Sequence, residues 1–232
     1  EVIVVNDGST DSETNKFFDS YKDPKVKLIT TKNFGLSSAR NTAIANSSGE
    51  FFVPLDADDK VSSTFIEKTL NEMIQDKNIG VVYTDIQLFD KENEILKQGE
   101  FDHSTLLVWN NVSVTSLVRR EAYDQVLNKN RHGYNPNMKF GYEDWDLWIN
   151  LVELGWKFKY VPEPLFFYRK HGTSMLANAL KNNDFLIHQL IQNHSDTYSQ
   201  NYEEVVINLQ RMFKEKEQYY HHIQKNINSL TW

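Results

Sequence analysis

"EVIVVNDGSTDSETNKFFDSY" (residues 1–21) is the stretch on which the fold turns. Val2, Ile3, Val4 and Val5 form a short β-branched run of the kind found in strands buried on both faces. The "NDGSTDS" that follows supplies turn residues, and Asp11 or Ser12 is placed to cap a helix. Reading outward, the unit repeats. "VKLIT" (26–30) is a strand. "GLSSARNTAIANSS" (35–48) carries Leu36, Ala39, Ala43 and Ile44 at helical spacing, with Gly49 as its stop. "EFFVPL" (50–55) is a strand, "SSTFIEKTLNEMIQ" (62–75) a helix with Phe65, Ile66, Leu70, Met73 and Ile74 on one side, and "IGVVYTDIQLFD" (79–90) a strand again. This alternation predicts an α/β fold, a mostly parallel sheet with helices on both faces.

The later chain is less regular. "VSVTSLVRREAYDQV" (112–126) reads as a strand entering a helix, "EDWDLWINLVELG" (143–155) as a helix with a charged start, and "KFKYV" and "LFFYR" as two strands. From about Leu176 the chain is helical and rich in Asn, Gln, Lys and His. Val205, Leu209, Met212, Tyr219, Ile223 and Ile227 form a narrow apolar stripe there. That stripe fits two arrangements, packing on the first domain or pairing with another chain as a coiled coil. The division expected is a domain over 1–175 and a helical extension over 176–232. The abrupt sheet start at Val2 predicts that further residues precede the chain, and "INSLTW" reads as the start of a segment that continues.

Composition narrows the function. The 232 residues carry 25 Lys plus Arg against 32 Asp plus Glu, a net charge of −7 with no basic run. Such a surface does not suit a nucleic-acid backbone. With no cysteine, disulfides, thiolate metal sites and cysteine nucleophiles are excluded. No apolar run is long enough to span a bilayer.

The chemistry concentrates where strands end. Ligands of open parallel sheets bind outside the carboxyl ends of the strands. Asp7 follows the first strand, and Asp56 and Asp58 follow "FFVPL". Paired carboxylates at such an edge suit a hard divalent cation, Mg²⁺ or Mn²⁺, which keeps water or phosphate as further ligands. A diphosphate is the natural partner of such an ion. Asp59, the third acid, is expected to cap the next helix.

"VVNDGSTD", "NFGLSSARNTAIANSSGEFFVPLDADD" and "GYEDWDLW" resemble, in this order and at similar spacing, the inverting family 2 glycosyltransferases of bacterial glycan synthesis. The resemblance implies a GT-A fold, the Rossmann-like sheet of nucleotide-diphospho-sugar transferases, over roughly residues 1 to 175. It departs at the start, where the family's usual first strand and nucleotide-contacting loop are absent. It implies that Asp7 contacts the donor nucleobase and that Gly35 and Arg40 line the nucleotide pocket, although Arg40 suits a structural ion pair equally well. Asp56 would sit near the ribose or metal-bound water, and Asp58 would ligate Mn²⁺ or Mg²⁺ directly. Asp144 would be the general base, with Glu143 orienting a neighbour or the acceptor. Arg169 and Ser174, in "FFYRKHGTSM" (166–175), have the chemistry to reach the diphosphate, and His171 to complete the metal shell. Trp148 is expected in the core, and Trp145 either in the core or stacked on an acceptor ring.

The resemblance further implies a nucleotide-sugar donor, with UDP favoured, and a glycan or glycolipid acceptor. The setting it implies is the cytoplasm, at the inner face of the membrane in the full-length protein. Two other classes share parts of the pattern. A nucleotidyltransferase uses paired acids and a metal on a related sheet, and a decayed transferase can serve as a carbohydrate-binding or scaffold module. The Glu-Asp-Trp helix argues against the first, and the intact Asp56, Asp58, Asp144 and His171 against the second.

Overall fold

The computed structural model describes residues 1–130, 132–171 and 175–229. The opening unit forms as its pattern dictates: β1 (Val2–Asp7), α1 (Ser12–Ser20) and β2 (Val26–Thr31). Asp11 caps α1 by accepting the Thr14 amide at 2.7 Å. β1 pairs in parallel with β2 from Val2–Val26 to Asp7–Thr31. It is less buried than its apolar run predicts. Val2 is exposed and only Asn6 is fully buried, because these two strands form a sheet of their own among the described residues and α1 buries no side chain.

α2 (Leu36–Ala45) packs on β1 and leads to β3, which is only Phe51–Phe52. Sequence periodicity extends that strand to residue 55. The chain leaves the ladder earlier, and Pro54, without an N–H, cannot pair within it. The free stretch that results is the loop bearing Asp56, Asp58 and Asp59.

The second sheet is built on β5 (Ile79–Asp90). β7 (Leu117–Arg119) joins β3 to β5, and β8 (Lys157–Lys170) runs parallel to β5 along its length. The two long pairings, β1–β2 and β5–β8, are thus parallel. The short ones, including β6 (Ile95–Leu96) on β5, are antiparallel, so the sheet is mixed. "KFKYV" and "LFFYR" are one strand rather than two. β8 passes through Pro162 and Pro164, and register shifts around Asp85 absorb the irregularity.

Alternate residues of β5 feed two cores. Val81 and Tyr83 pack with Trp148, Leu147 and Tyr134, whereas Val82 packs with Phe65, Met73 and Phe166. Phe65 and Met73 come from α3 (Phe65–Met73), whose Ile66 is exposed. The first core is completed by α4 (His103–Leu106), α5 (Arg120–Asn130) and α6 (Glu143–Glu153).

Helices continue through α7 (Met175–Lys181), α8 (Asn183–Asn193), α9 (Ser195–Gln200) and α10 (Tyr202–Ser229). Leu186 and Leu190 of α8 are fully buried in the same core as α6, and Val205 packs on its margin. The expected tail stripe divides, since Val205 faces the domain while Leu209 is exposed. No helix among the described residues is long and apolar enough to cross a membrane.

Candidate active site

Three acids crowd the loop after β3, and each has a different partner. Asp56 Oδ1 accepts from Arg40 NH2 at 2.7 Å. Asp58 Oδ2 lies 2.8 Å from His171 Nε2. Asp59 Oδ1 accepts the Arg169 backbone amide at 2.8 Å. The pairing of β4 (Lys60–Val61) with Phe167 and Phe166 of β8 draws the loop to the end of β8 and creates the last two contacts.

Asp59 therefore does not cap a helix as expected. It pins the loop to β8, and α3 begins after Thr64 without a side-chain cap. The buried Oδ2 of Asp59 has no hydrogen-bond partner among the described residues. Burial first, then repulsion by Asp58 and Asp56, pushes its carboxyl up to about 6.

Arg169 has its guanidinium engaged within the protein. Nε donates to the Asp58 carbonyl at 2.9 Å, NH1 pairs with Asp90 at 3.2 Å, and the group lies 4.6 Å from the centre of the Phe89 ring. Asp90 holds this position in a left-handed conformation (φ 81°). Ser174 falls outside the described residues.

Asp7 is likewise committed to a loop. Its carboxylate accepts from Thr31 Oγ1 at 2.8 Å and from the Gly35 amide at 2.8 Å, with the Phe34 amide at 3.1 Å. Gly35 meets it with φ 89°, a conformation open to glycine, and opens α2. The "NDGS" and "NFGLSS" segments are thereby joined through one carboxylate.

α2 then carries two adjacent side chains inward. Arg40 is buried and bridges two acids far apart in sequence, Asp56 and Glu143, the latter at 2.5 Å from NH1. Its guanidinium also lies 5.5 Å from the Tyr134 ring centre. Asn41 uses its whole amide. Nδ2 donates to the carbonyls of His132 and Tyr134, while Oδ1 accepts the Tyr134 amide at 3.0 Å and the Tyr123 hydroxyl at 2.7 Å. The loop before α6 is fixed in this way.

That loop ends in Gly141 and Tyr142. Gly141 has φ 131°, and a Cβ there would lie 2.8 Å from Ala179 Cβ. Tyr142 is left-handed (φ 62°), so the chain turns sharply into α6 and presents Glu143 and Asp144 in its first turn. Asp144 stays partly open, and its Oδ2 receives one long bond, 3.3 Å from Asn110 Nδ2. Oδ1 accepts the Trp145 amide at 2.8 Å. Burial, and next the Glu143 charge, raises its carboxyl to about 7 against the opposing pull of Arg40.

The rest of α6 is anchored by acids on its other faces. Asp146 accepts from Asn193 at 2.6 Å, and His194 lies between Asp146 (3.3 Å) and Glu153 (2.8 Å). Lys129 and Thr197 also bind Glu153. The buried indole of Trp145 donates to the Leu106 carbonyl at 2.6 Å, so it is core and not a sugar platform. Trp148 is core as expected, with its N–H on Val112.

The model of Glycosyl transferase family 2 matches residues 1–145. The chain belongs to this family. The matched segment runs from β1 through Asp144 and so takes in both acid clusters. Among curated glycosyltransferases, the chain is 26% identical over 218 residues to hyaluronan synthase of Pasteurella multocida, covering 88% of this chain and 21% of that protein. It is 30% identical over 191 residues to an uncharacterised glycosyltransferase of Haemophilus influenzae, covering 78% of this chain and 72% of that one. The chain thus spans about a fifth of the synthase. Its fold is similar to that of S. aureus TarS 1–349 in complex with UDP-GlcNAc, with a TM-score of 0.56 at 14% identity, covering 89% of this chain and 69% of TarS 1–349.

Within this family frame, sequence reasoning missed Asn110, Tyr134 and Trp109. Asn110 sits in "VWNNVSVTS", and nothing local shows that it reaches Asp144 across 34 residues. Tyr134 is fully buried beside Arg40, and its hydroxyl has no hydrogen-bond partner among the described residues. Trp109, next to Asn110, is 57% exposed, which is unusual for so large an apolar ring.

Proposed function

We propose that this chain carries the catalytic unit of an inverting glycosyltransferase, which moves a sugar from a nucleotide-diphosphate donor to a hydroxyl of a glycan or glycolipid. The observation that carries the reading is the state of Asp144. Among the described residues it is the one acid of the α6 first turn without a cationic partner, and its carboxyl is raised to about 7. A general base works best with a pKa near the working pH. Asp144 accepts the proton of the acceptor hydroxyl as that oxygen attacks the anomeric carbon, and Asn110 holds the receiving carboxylate in place. The exposed ring of Trp109, next to Asn110 in sequence, would offer the acceptor sugar a flat apolar face.

Asp58 and His171 are the residues suited to a divalent cation. They face each other with an oxygen and a nitrogen donor 2.8 Å apart, both about half exposed (49% and 41%). No third His, Cys, Asp or Glu joins them among the described residues. That donor set fits Mn²⁺ or Mg²⁺ with its remaining positions left to water and diphosphate oxygens. Bound there, the ion would neutralise the leaving diphosphate. Asp56, with an edge open to solvent beside Arg40, stands ready for the ribose. A UDP-sugar donor is favoured by the likeness to TarS, crystallised with UDP-GlcNAc and with UDP.

The test is a donor screen on the chain and on Asp144→Asn, scored by thermal stabilisation with Mn²⁺ and by transfer. Ligands that bind the native state raise the melting temperature. Donor stabilisation in both proteins, with transfer lost in the variant, supports the assignment. Transfer retained in Asp144→Asn removes Asp144 as the base.

A further inference from the structure

Asp85 is buried in β5, and the pairing of β5 with β8 shifts register on both sides of it. Such a bulge re-aims the side chain it carries. Oδ1 accepts from two donors, the Tyr160 hydroxyl of β8 at 2.5 Å and the Gln98 backbone amide at 2.9 Å. Neither donor is a cation. Tyr83, two residues earlier on β5, donates its hydroxyl to the Gly99 carbonyl at 2.8 Å. The segment that follows β6 is thereby strapped to the sheet. The strap in turn holds a second loop. Asn111, also buried, donates Nδ2 to the Gln98 carbonyl at 2.9 Å, while its Oδ1 is buried with no hydrogen-bond partner among the described residues. On either side of Asn111 that loop meets α6. The Val112 carbonyl accepts the Trp148 indole N–H at 3.1 Å, and Asn110 Nδ2 reaches Asp144. Trp148 and Asp144 are four residues apart, on one face of the helix. The Asn110 amide is oriented by its own Oδ1, which accepts the Val112 N–H at 3.0 Å.

We propose that Asp85 is a positioning residue for the Asp144 base, acting through the Gln98 backbone, Asn111 and Asn110. The inference rests on the reading of Asp144 as that base. A single bond to Trp148 would let the loop pivot on α6. The Asn111–Gln98 bond adds a second point of attachment, on the sheet, and Asp85 fixes where that point lies. Mounted at both points, the loop keeps the Asn110 amide on the Asp144 carboxylate. Placement matters here, since an error of about 1 Å can cost on the order of 10²-fold in rate. Both donors to Asp85 are neutral, so the role needs an acceptor at this position and not a charge. A donor on a carboxylate favours its ionised form. Loosening the mount should therefore make Asp144 harder to ionise.

The test is the titration of the Asp144 carboxyl, followed by carbon-detected NMR on the full chain, its signal identified by its loss in Asp144→Asn. It needs no donor or acceptor. In Asp85→Ala the carboxyl should titrate about half a pH unit higher than in the unaltered chain. Asn110→Ala should show the same rise, and the two substitutions together no more than either alone. Glu143 and Arg40, with the phenols of Tyr134 and Tyr142, face the same carboxyl and are kept in these variants. Asp85→Asn removes the charge but keeps the acceptor, so Asp144 should titrate there as in the unaltered chain. Asn111→Ala breaks the connection one link further on without altering charge. It should reproduce the rise even where Asp85→Ala does not fold. A titration that stays put in Asn111→Ala while the melting temperature falls marks a network that only braces the fold, and overturns the proposal. So does a rise in Asp85→Ala that adds to that of Asn110→Ala. The base reading fails separately, by transfer retained in Asp144→Asn, an outcome on which this titration has no bearing.

Discussion

The loop after β3 and the α6 helix both gather acids, and they handle the charge in opposite ways. In the loop, Asp58 and Asp56 keep surface open to solvent, and the partner of Asp58 is a histidine that a cation can displace or share. On α6, Glu143, Asp146 and Glu153 each meet a cation or amide from another element, and Asp144 alone lacks a positive partner among the described residues. What separates the two is the partner each acid finds. Asp58 faces a histidine at the surface, whereas Asp144 has only amide donors among the described residues, and burial with the Glu143 charge raises its carboxyl. Arg40 links the regions, with one nitrogen on each.

Breaking the buried side of this comparison should cost most. Asp144→Asn keeps the volume and removes the proton acceptor, so transfer should fall by about 10²–10⁴-fold with donor binding retained. A steady-state assay beside a thermal-shift titration measures both. Arg40→Met leaves Glu143 buried without its cation. Loss of one partner of a buried pair costs about 3–5 kcal/mol, so the melting temperature and the activity should drop together. An unchanged melting temperature would mean that Arg40 does not brace the two clusters.

On the open side, Asp58→Ala should spare the fold and reduce Mn²⁺-dependent donor binding. The loss should exceed the roughly 10-fold that removal of an outer-sphere partner alone brings. Donor binding that stays equally metal-dependent would point to other ligands.

The His194 clasp gives a pH test. Burial lowers its pKa, but hydrogen bonds and charge from Asp146 and Glu153 outweigh this and raise it to about 9 from 6.5. The folded pKa lies above the unfolded one. Its stabilisation is therefore complete below pH 6.5 and is lost as pH rises through 9, on the order of 3 kcal/mol. Denaturant melts at pH 6.5 and 9.5 should differ accordingly, and His194→Gln should flatten the difference. The smallest effect expected is from Trp109→Ala. Loss of one stacking ring costs roughly 1 kcal/mol, so the acceptor KM should rise about fivefold at steady kcat.

Much of this was legible along the chain because it is local. The strand–loop–helix alternation, the acids after "FFVPL" and the acid start of α6 follow from periodicity and turn chemistry within short windows. What was hidden is set by partners far away in sequence. Arg40 and Glu143 are 103 residues apart, and no local signal joins them. Asp59 looks like a helix cap until β4 pairs with β8 and delivers the Arg169 amide. β8 reads as two strands because Pro162 and Pro164 are breakers in sequence, and only the bulged ladder with β5 accommodates them. Trp145 is ambiguous until the Leu106 carbonyl takes up its N–H.

The pH dependence of kcat/KM for sugar transfer tests the central claim most directly. With donor and Mn²⁺ saturating, the account predicts an ascending limb near pH 7, belonging to Asp144. That limb should be absent from the residual activity of Asp144→Asn. A limb at about pH 4, the ordinary carboxylate range, or one unmoved in Asp144→Asn, would contradict it.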